Sequence, residues 1–167
     1  AKGYLRLLKV MKRLLDGGYD VRLHLVGEGE DRKVLEEYIQ AHNMQDEIIL
    51  YGFQKEPYDL LRQADAYVCS SYVEGFSTTV TEALILGVPV ITTECAGMEE
   101  LLGKSEYGMI VENTEEGLYH GMVKFLNDKE LQQEYRIKAE IRGKEFSIKA
   151  RINDLEDMFR QDLAKKI

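Results

Sequence analysis

The chain has 167 residues, 44% apolar and 31% charged, the ordinary make-up of one globular domain that can bury a core. Its formal charge of −8 argues against nucleic acid or an anionic membrane surface as a partner, and no apolar run approaches the ~20 residues of a membrane span. The two cysteines, Cys69 and Cys95, lack metal or redox spacing and lie in or just after apolar runs. They read as buried free thiols of a reducing, cytoplasmic compartment, with a disulfide between them as the alternative.

Taken in chain order, Tyr4 to Leu15 has helical periodicity, with Leu5, Leu8, Met11 and Leu15 on one stripe, and Asp16-Gly17-Gly18 ends it. Val21 to Val26 reads as a strand closed by Gly27-Glu28-Gly29. Asp31 to Ala41 follows as an amphipathic helix with Val34, Leu35, Tyr38 and Ile39 inward. Ile48 to Tyr51 is a strand closed by Gly52, and Pro57 opens a short helix. Tyr67 to Ser70 and Val88 to Thr92 read as strands around a helix from Thr79 to Leu86. Met98 to Leu102 is a short helix and Gly108 to Val111 a last strand. Helices are predicted at Glu115–Leu126, Lys129–Arg142 and from Ile148 to about Ala164. Alternating short apolar strands and helices predict an α/β fold: a Rossmann-like open parallel sheet with helices on both faces and a helical C-terminal segment. A doubly wound domain normally opens with a strand, whereas this chain opens at Ala1-Lys2-Gly3 directly before a helix. The expectation is a fragment whose first strand lies outside it.

In such sheets ligands bind beyond the carboxyl ends of the strands. Three loops stand there: Gly27-Glu28-Gly29, Gly52-Phe53-Gln54, and Glu74-Gly75-Phe76-Ser77-Thr78-Thr79, which runs into a helix N-terminus. Free backbone N–H groups and the helix dipole make that last loop a seat for phosphate. Carboxylates at Glu74 and Glu82 flank it, an arrangement suited to a ligand that carries phosphates and hydroxyl-rich rings, such as a nucleotide sugar. Plainer roles stay open at this point. Glu82 follows Thr79 by three residues and could complete a capping box, Glu74 could be a solvated loop acid, Phe76 core, and Lys2 an ordinary lysine. His24, His42 and His120 have no partner at useful spacing and read as structural or exposed.

Leu25-Val26-Gly27-Glu28-Gly29, Tyr51-Gly52-Phe53, Ser70-Ser71-Tyr72-Val73-Glu74-Gly75-Phe76, Glu82-Ala83-Leu84, Gly87-Val88-Pro89-Val90 and Gly97-Met98-Glu99-Glu100 occur in this order. Together they resemble the C-terminal, donor-binding domain of retaining GT-B glycosyltransferases of family 4 (glycosyl transferases group 1). The Glu-x7-Glu element with Gly-Phe after its first Glu is the specific part, whereas Gly27-x-Gly29 alone is weak. The resemblance implies one half of a GT-B fold, with an acceptor domain outside this chain. It implies that Glu82 grips the ribose hydroxyls and that Glu74 orients the transferred sugar. The backbone of Gly75, Phe76 and Ser77 would reach that sugar, and Thr78 and Thr79 the diphosphate. Lys2 would neutralise the leaving diphosphate. The Gly52-Phe53-Gln54 turn would meet the base, with the Gly27 loop beside it. The implied reaction is sugar transfer from a UDP- or GDP-sugar to a glycan or glycolipid acceptor in cell-surface polysaccharide synthesis, with no metal or other cofactor. No nucleic acid and no direct membrane contact are expected of this domain, and the fragment alone should be inactive. The family's arginine shortly before the lysine has no counterpart here, and Phe146-Ser147-Ile148 stands where an aromatic, commonly Trp, is usual.

Other classes remain. A non-catalytic nucleotide-binding or interaction domain could keep the fold. A receiver domain needs clustered Asp residues that this chain lacks, and GT-B epimerases and phosphorylases lack the Glu-x7-Glu element as it stands here.

Overall fold

A computed structural model describes residues 2–147. The predicted helix from Ile148 onward lies outside the described residues. In chain order the elements are α1 (Tyr4–Asp16), β1 (Leu23–Val26), α2 (Arg32–Ala41), β2 (Ile48–Gly52), α3 (Tyr58–Arg62), β3 (Tyr67–Cys69), α4 (Thr78–Ile85), β4 (Val90–Thr93), α5 (Met98–Leu102), β5 (Met109–Val111), α6 (Glu115–Asn127) and α7 (Lys129–Phe146). All strand pairs are parallel, as short apolar strands joined through helices require.

The strands form two hydrogen-bonded groups, β1–β2 and β3–β4–β5, in place of one continuous sheet. Among the described residues no ladder joins them. They are united by side chains instead. Leu7, Leu8, Val10, Met11 and Leu14 of α1 share one core with Leu35 and Ile39 of α2, Ile48 of β2, Ile91 of β4 and Leu118, Met122 and Phe125 of α6. A second core lies on the opposite face of the β3–β5 group, where Val80, Ala83 and Leu84 of α4 and Ala139 of α7 meet Cys69, Val88, Val90, Met98, Leu101 and Leu102. Successive strand residues point to opposite faces, so Val90 and Ile91 belong to different cores and β4 is buried throughout. The β3–β5 group is thus covered by helices on both faces. On β1–β2, Leu23, Leu25 and Leu50 face the first core, while Ile49 and Tyr51 are exposed and Tyr51 stacks on His24.

Two predicted helix faces need correction. Leu5 is exposed, and the buried face of α1 is Arg6, Leu7, Leu8, Val10, Met11 and Leu14. The stripe is wide because α1 is wedged between α2, α6 and the strands. Val34 is exposed on α2, whose inward side chains are Leu35 and Ile39 with Tyr38 half-buried. Both cysteines are free thiols, Cys69 buried and Cys95 half-buried. The three histidines have local partners: His24 with the Tyr51 hydroxyl, His42 with the Tyr38 carbonyl and His120 with Glu116. No helix among the described residues is long and apolar enough to cross a membrane.

Candidate functional site

The strand ends gather the sequence-predicted residues into two neighbouring regions. The first lies beyond β3. Ser77 caps α4: its hydroxyl accepts from the Val80 N–H, and its own carbonyl accepts from the Thr81 N–H and the Thr81 hydroxyl. This cap leaves the N–H groups of Thr78 and Thr79, in the first turn, with no acceptor among the described residues. Because α4 starts at Thr78, Thr79 is inside the helix. Glu82 is then five residues past the cap and completes no capping box. Its half-buried carboxylate makes no hydrogen bond or ion pair among the described residues.

Glu74 stands at the head of the same loop. Its Oε2 accepts from Lys2 Nζ at 2.7 Å and from the Ser71 hydroxyl at 3.0 Å. The Lys2 ammonium, which donates directly to it, holds the Glu74 carboxyl below the usual carboxylate range despite partial burial, and the Ser71 bond acts the same way. Glu74 in turn raises Lys2 above the usual ammonium value. The pair therefore stays ionised across neutral pH.

Two glycines allow this closeness. Gly3, which caps α1 at φ 70°, lies so near strand β3 that a Cβ there would fall 2.0 Å from the Ser70 carbonyl oxygen. The Ser70 hydroxyl donates to the Lys2 and Gly3 carbonyls and seals the contact. Gly97, at φ 81°, sits against the Gly75 carbonyl, where a Cβ would come within 2.8 Å. The Phe76 ring is half-exposed, edge-on to Phe146, and is not a core residue.

The second region lies beyond β1 and β2. The Gly27 N–H donates to the Gly52 carbonyl at 2.8 Å, which joins the two predicted loops. The Phe53 ring is 76% exposed, and the Gln54 amide donates to the Tyr51 carbonyl. A cleft of about 270 Å³ opens here, lined by Lys2, Tyr4, Gly27, Glu28, Gly29 and Arg32 among others. Arg32 is held by Glu28 and Glu36. Neither Glu74 nor Glu82 lines this cleft. Lys2 links the regions, since it faces the cleft and also bonds Glu74.

Sequence reasoning missed the frame under the Glu74 loop. Arg6, buried on α1, donates to Asn113 Oδ1 and to the Ser70 and Ser71 carbonyls. Asn113 donates to the Tyr72 and Glu94 carbonyls, and Thr93 to the Ser71 carbonyl. A charge set in a leucine stripe (Leu5-Arg6-Leu7-Leu8) was the available signal. Chemically, the first region offers two unbonded helix N–H groups, an ammonium and two carboxylates around one loop. That set can hold an anion beside hydroxyl groups.

Residues 1–142 match the sequence model of glycosyl transferases group 1. Over 147 residues the chain is 31% identical to N-acetylgalactosamine-N,N'-diacetylbacillosaminyl-diphospho-undecaprenol 4-alpha-N-acetylgalactosaminyltransferase of Campylobacter jejuni, covering 87% of this chain and 40% of that one. It is 36% identical over 95 residues to lipopolysaccharide 1,6-galactosyltransferase of Escherichia coli, covering 52% of this chain and 26% of the relative. Among solved structures, the pneumococcal O-GlcNAc transferase GtfA in complex with UDP and GlcNAc superimposes with a TM-score of 0.84 at 19% identity, over 97% of this chain and 33% of that one. The chain thus spans less than half the length of these relatives.

Proposed function

The chain belongs to the glycosyl transferases group 1 family, and we propose that it is the donor-binding half of a retaining GT-B glycosyltransferase. The observation that carries this is the shared loop: Lys2 on Glu74 at 2.7 Å, and, at the loop's other end, the first-turn amides of Thr78 and Thr79 with no acceptor among the described residues. In this reading the diphosphate of a UDP- or GDP-sugar sits on those amides, and Lys2 meets the charge that develops as it leaves. Glu82, with no partner among the described residues, accepts from the two ribose hydroxyls. Glu74, whose bonds to Lys2 and Ser71 both fall on Oε2, turns its other oxygen to the sugar hydroxyls. The backbone of Gly75, Phe76 and Ser77 borders that sugar. Gly52, Phe53 and Gln54, with Gly27 beside them, receive the base. The bond from the anomeric carbon to the diphosphate oxygen breaks, the acceptor oxygen bonds that carbon on the same face, and the acceptor's hydroxyl proton passes to the departing diphosphate. Helix amides and Lys2, rather than a metal ion, supply the charge stabilisation.

The acceptor, a glycan or glycolipid of cell-surface polysaccharide synthesis, is held by a further domain of the whole enzyme, which works on the cytoplasmic side. The support is the company the family keeps: the names of two relatives carry an undecaprenol-linked and a lipopolysaccharide acceptor, and the pneumococcal structural neighbour is a complex with UDP. Without the second wall of the cleft this domain binds donor but does not transfer it.

Thermal unfolding against UDP, GDP, ADP and their common sugars tests the reading. A ligand bound by the folded state at ~100 times its dissociation constant adds about 2.7 kcal/mol. Stabilisation by one nucleotide series, lost in Glu82→Gln, supports donor binding and identifies the base. No stabilisation at millimolar ligand, in this chain and in the whole enzyme alike, favours a non-catalytic domain of the same fold.

A further inference from the structure

Arg6 is the most unusual side chain in the fold. It is 4% exposed, it sits in the first turn of α1 where the helix dipole disfavours a cation, and among the described residues it has no carboxylate partner. Its Nε has no acceptor among the described residues. A buried cation without a counter-ion is costly, and leucine would fill this position in the stripe without that cost. What the guanidinium gains is a set of neutral acceptors at one place. It donates to the Ser70 carbonyl at 2.5 Å, the Ser71 carbonyl at 3.0 Å and Asn113 Oδ1 at 2.9 Å, and the Tyr72 ring covers it at 4.0 Å.

Apart from Asn113, these contacts fall on the three residues where the chain leaves β3 and turns toward Glu74. Carbonyls at such a turn leave the strand ladder and need other donors. Asn113, held by Arg6, takes the next carbonyl, that of Tyr72, at 2.9 Å. Thr93 reaches the Ser71 carbonyl from β4 at 2.6 Å. The backbone of Ser71 is thus fixed from two sides, and the Ser71 hydroxyl is free to donate to Glu74. The planar fork of arginine can serve two adjacent carbonyls and an amide oxygen at once, which a lysine cannot.

We infer that Arg6 is a positioning residue: it locks the Ser70–Tyr72 turn in the one geometry that delivers the Glu74 carboxylate to Lys2 and Ser71. It touches no ligand and acts through Glu74. Its consequence for turnover rests on the sugar-orienting role proposed for Glu74, whereas the geometric claim does not.

The test uses the full chain as wild type, Arg6→Met, Arg6→Lys and Asn113→Ala, with Glu74→Gln to assign the Glu74 signal. Thermal unfolding reports folding, and NMR titration of the Glu74 carboxyl reports whether it still meets Lys2 and Ser71. Methionine keeps the apolar stem and removes the fork. The expected result is a folded Arg6→Met protein in which Glu74 titrates higher than in wild type, with no restoration in Arg6→Lys. If Arg6→Met does not fold, Asn113→Ala carries the test, because it removes one acceptor of Arg6 and the donor to Tyr72 while leaving α1 intact. Wild-type titration of Glu74 in the folded variant overturns the proposal and leaves Arg6 a brace of the core. In the whole enzyme, misplacing Glu74 lowers donor kcat by about a hundredfold with a much smaller change in donor KM. A shifted titration with unchanged turnover keeps Arg6 as the positioning residue and removes the role given to Glu74.

Discussion

Lys2 and Glu74, 72 residues apart in sequence, meet through a 2.7 Å ion pair at the mouth of the candidate site. The Glu74 carboxyl is lowered by Lys2, so the pair's contribution to stability is complete above the ordinary carboxylate pKa and fades as pH falls through the lowered folded value. Lys2 is raised, so at the alkaline end the contribution is complete below the ordinary ammonium pKa and fades only as pH rises through the raised value. Lys2 is half-exposed, which limits the pair to about 1 kcal/mol or less. The stability difference between wild type and Glu74→Gln should therefore be flat around neutrality and shrink below about pH 4.5, as urea unfolding at a series of pH values would report.

A diphosphate that recruits Lys2 must draw it from Glu74. Saturating nucleoside diphosphate should raise the Glu74 titration toward the ordinary carboxylate range, and Lys2→Met should raise it without ligand. If Glu74 titrates identically with and without a bound diphosphate, Lys2 does not transfer to the phosphate.

Glu82 has no protein partner to lose among the described residues, so Glu82→Gln should leave the melting temperature of the free protein nearly unchanged. Loss of charge-assisted bonds to two hydroxyls corresponds to about 1.5–3 kcal/mol, or roughly 10- to 100-fold in nucleotide affinity. Calorimetric titration of both proteins checks this. Equal destabilisation with and without nucleotide would assign the carboxylate to the fold instead.

Gly97→Ala should be destabilising by about 2 kcal/mol from the left-handed backbone alone, with more from the Cβ at 2.8 Å from the Gly75 carbonyl. Thermal unfolding measures the sum. Nucleotide affinity should fall as well, since the loop that carries Ser77, Thr78 and Thr79 is the part pushed away.

The alternation of elements is legible in the sequence because most of the short apolar runs, β3 excepted, have Gly or Pro at one end at least, and α5 spans the predicted Met98–Leu102 between Gly97 and Gly103. Less legible is which side of a helix faces inward. A 3.6-residue period defines a stripe, but the width of the buried sector depends on how many neighbours surround the helix. Periodicity alone therefore places Leu5 inside and omits Leu7, Val10 and Leu14. Thr79 and Ser77 are both good caps for α4, and only the extended backbone at Ser77 decides between them. Arg6 is hidden for a different reason: its acceptors are main-chain carbonyls and Asn113, which lies 107 residues away.

The contact at Gly3 has a further consequence. With its Cα against the Ser70 carbonyl and its backbone left-handed, the position admits no residue but glycine, and the Ser70 hydroxyl donates to the Lys2 and Gly3 carbonyls. The backbone of Lys2 is thereby tethered to the same turn that leads to Glu74, so the ammonium and the carboxylate are carried on one rigid joint.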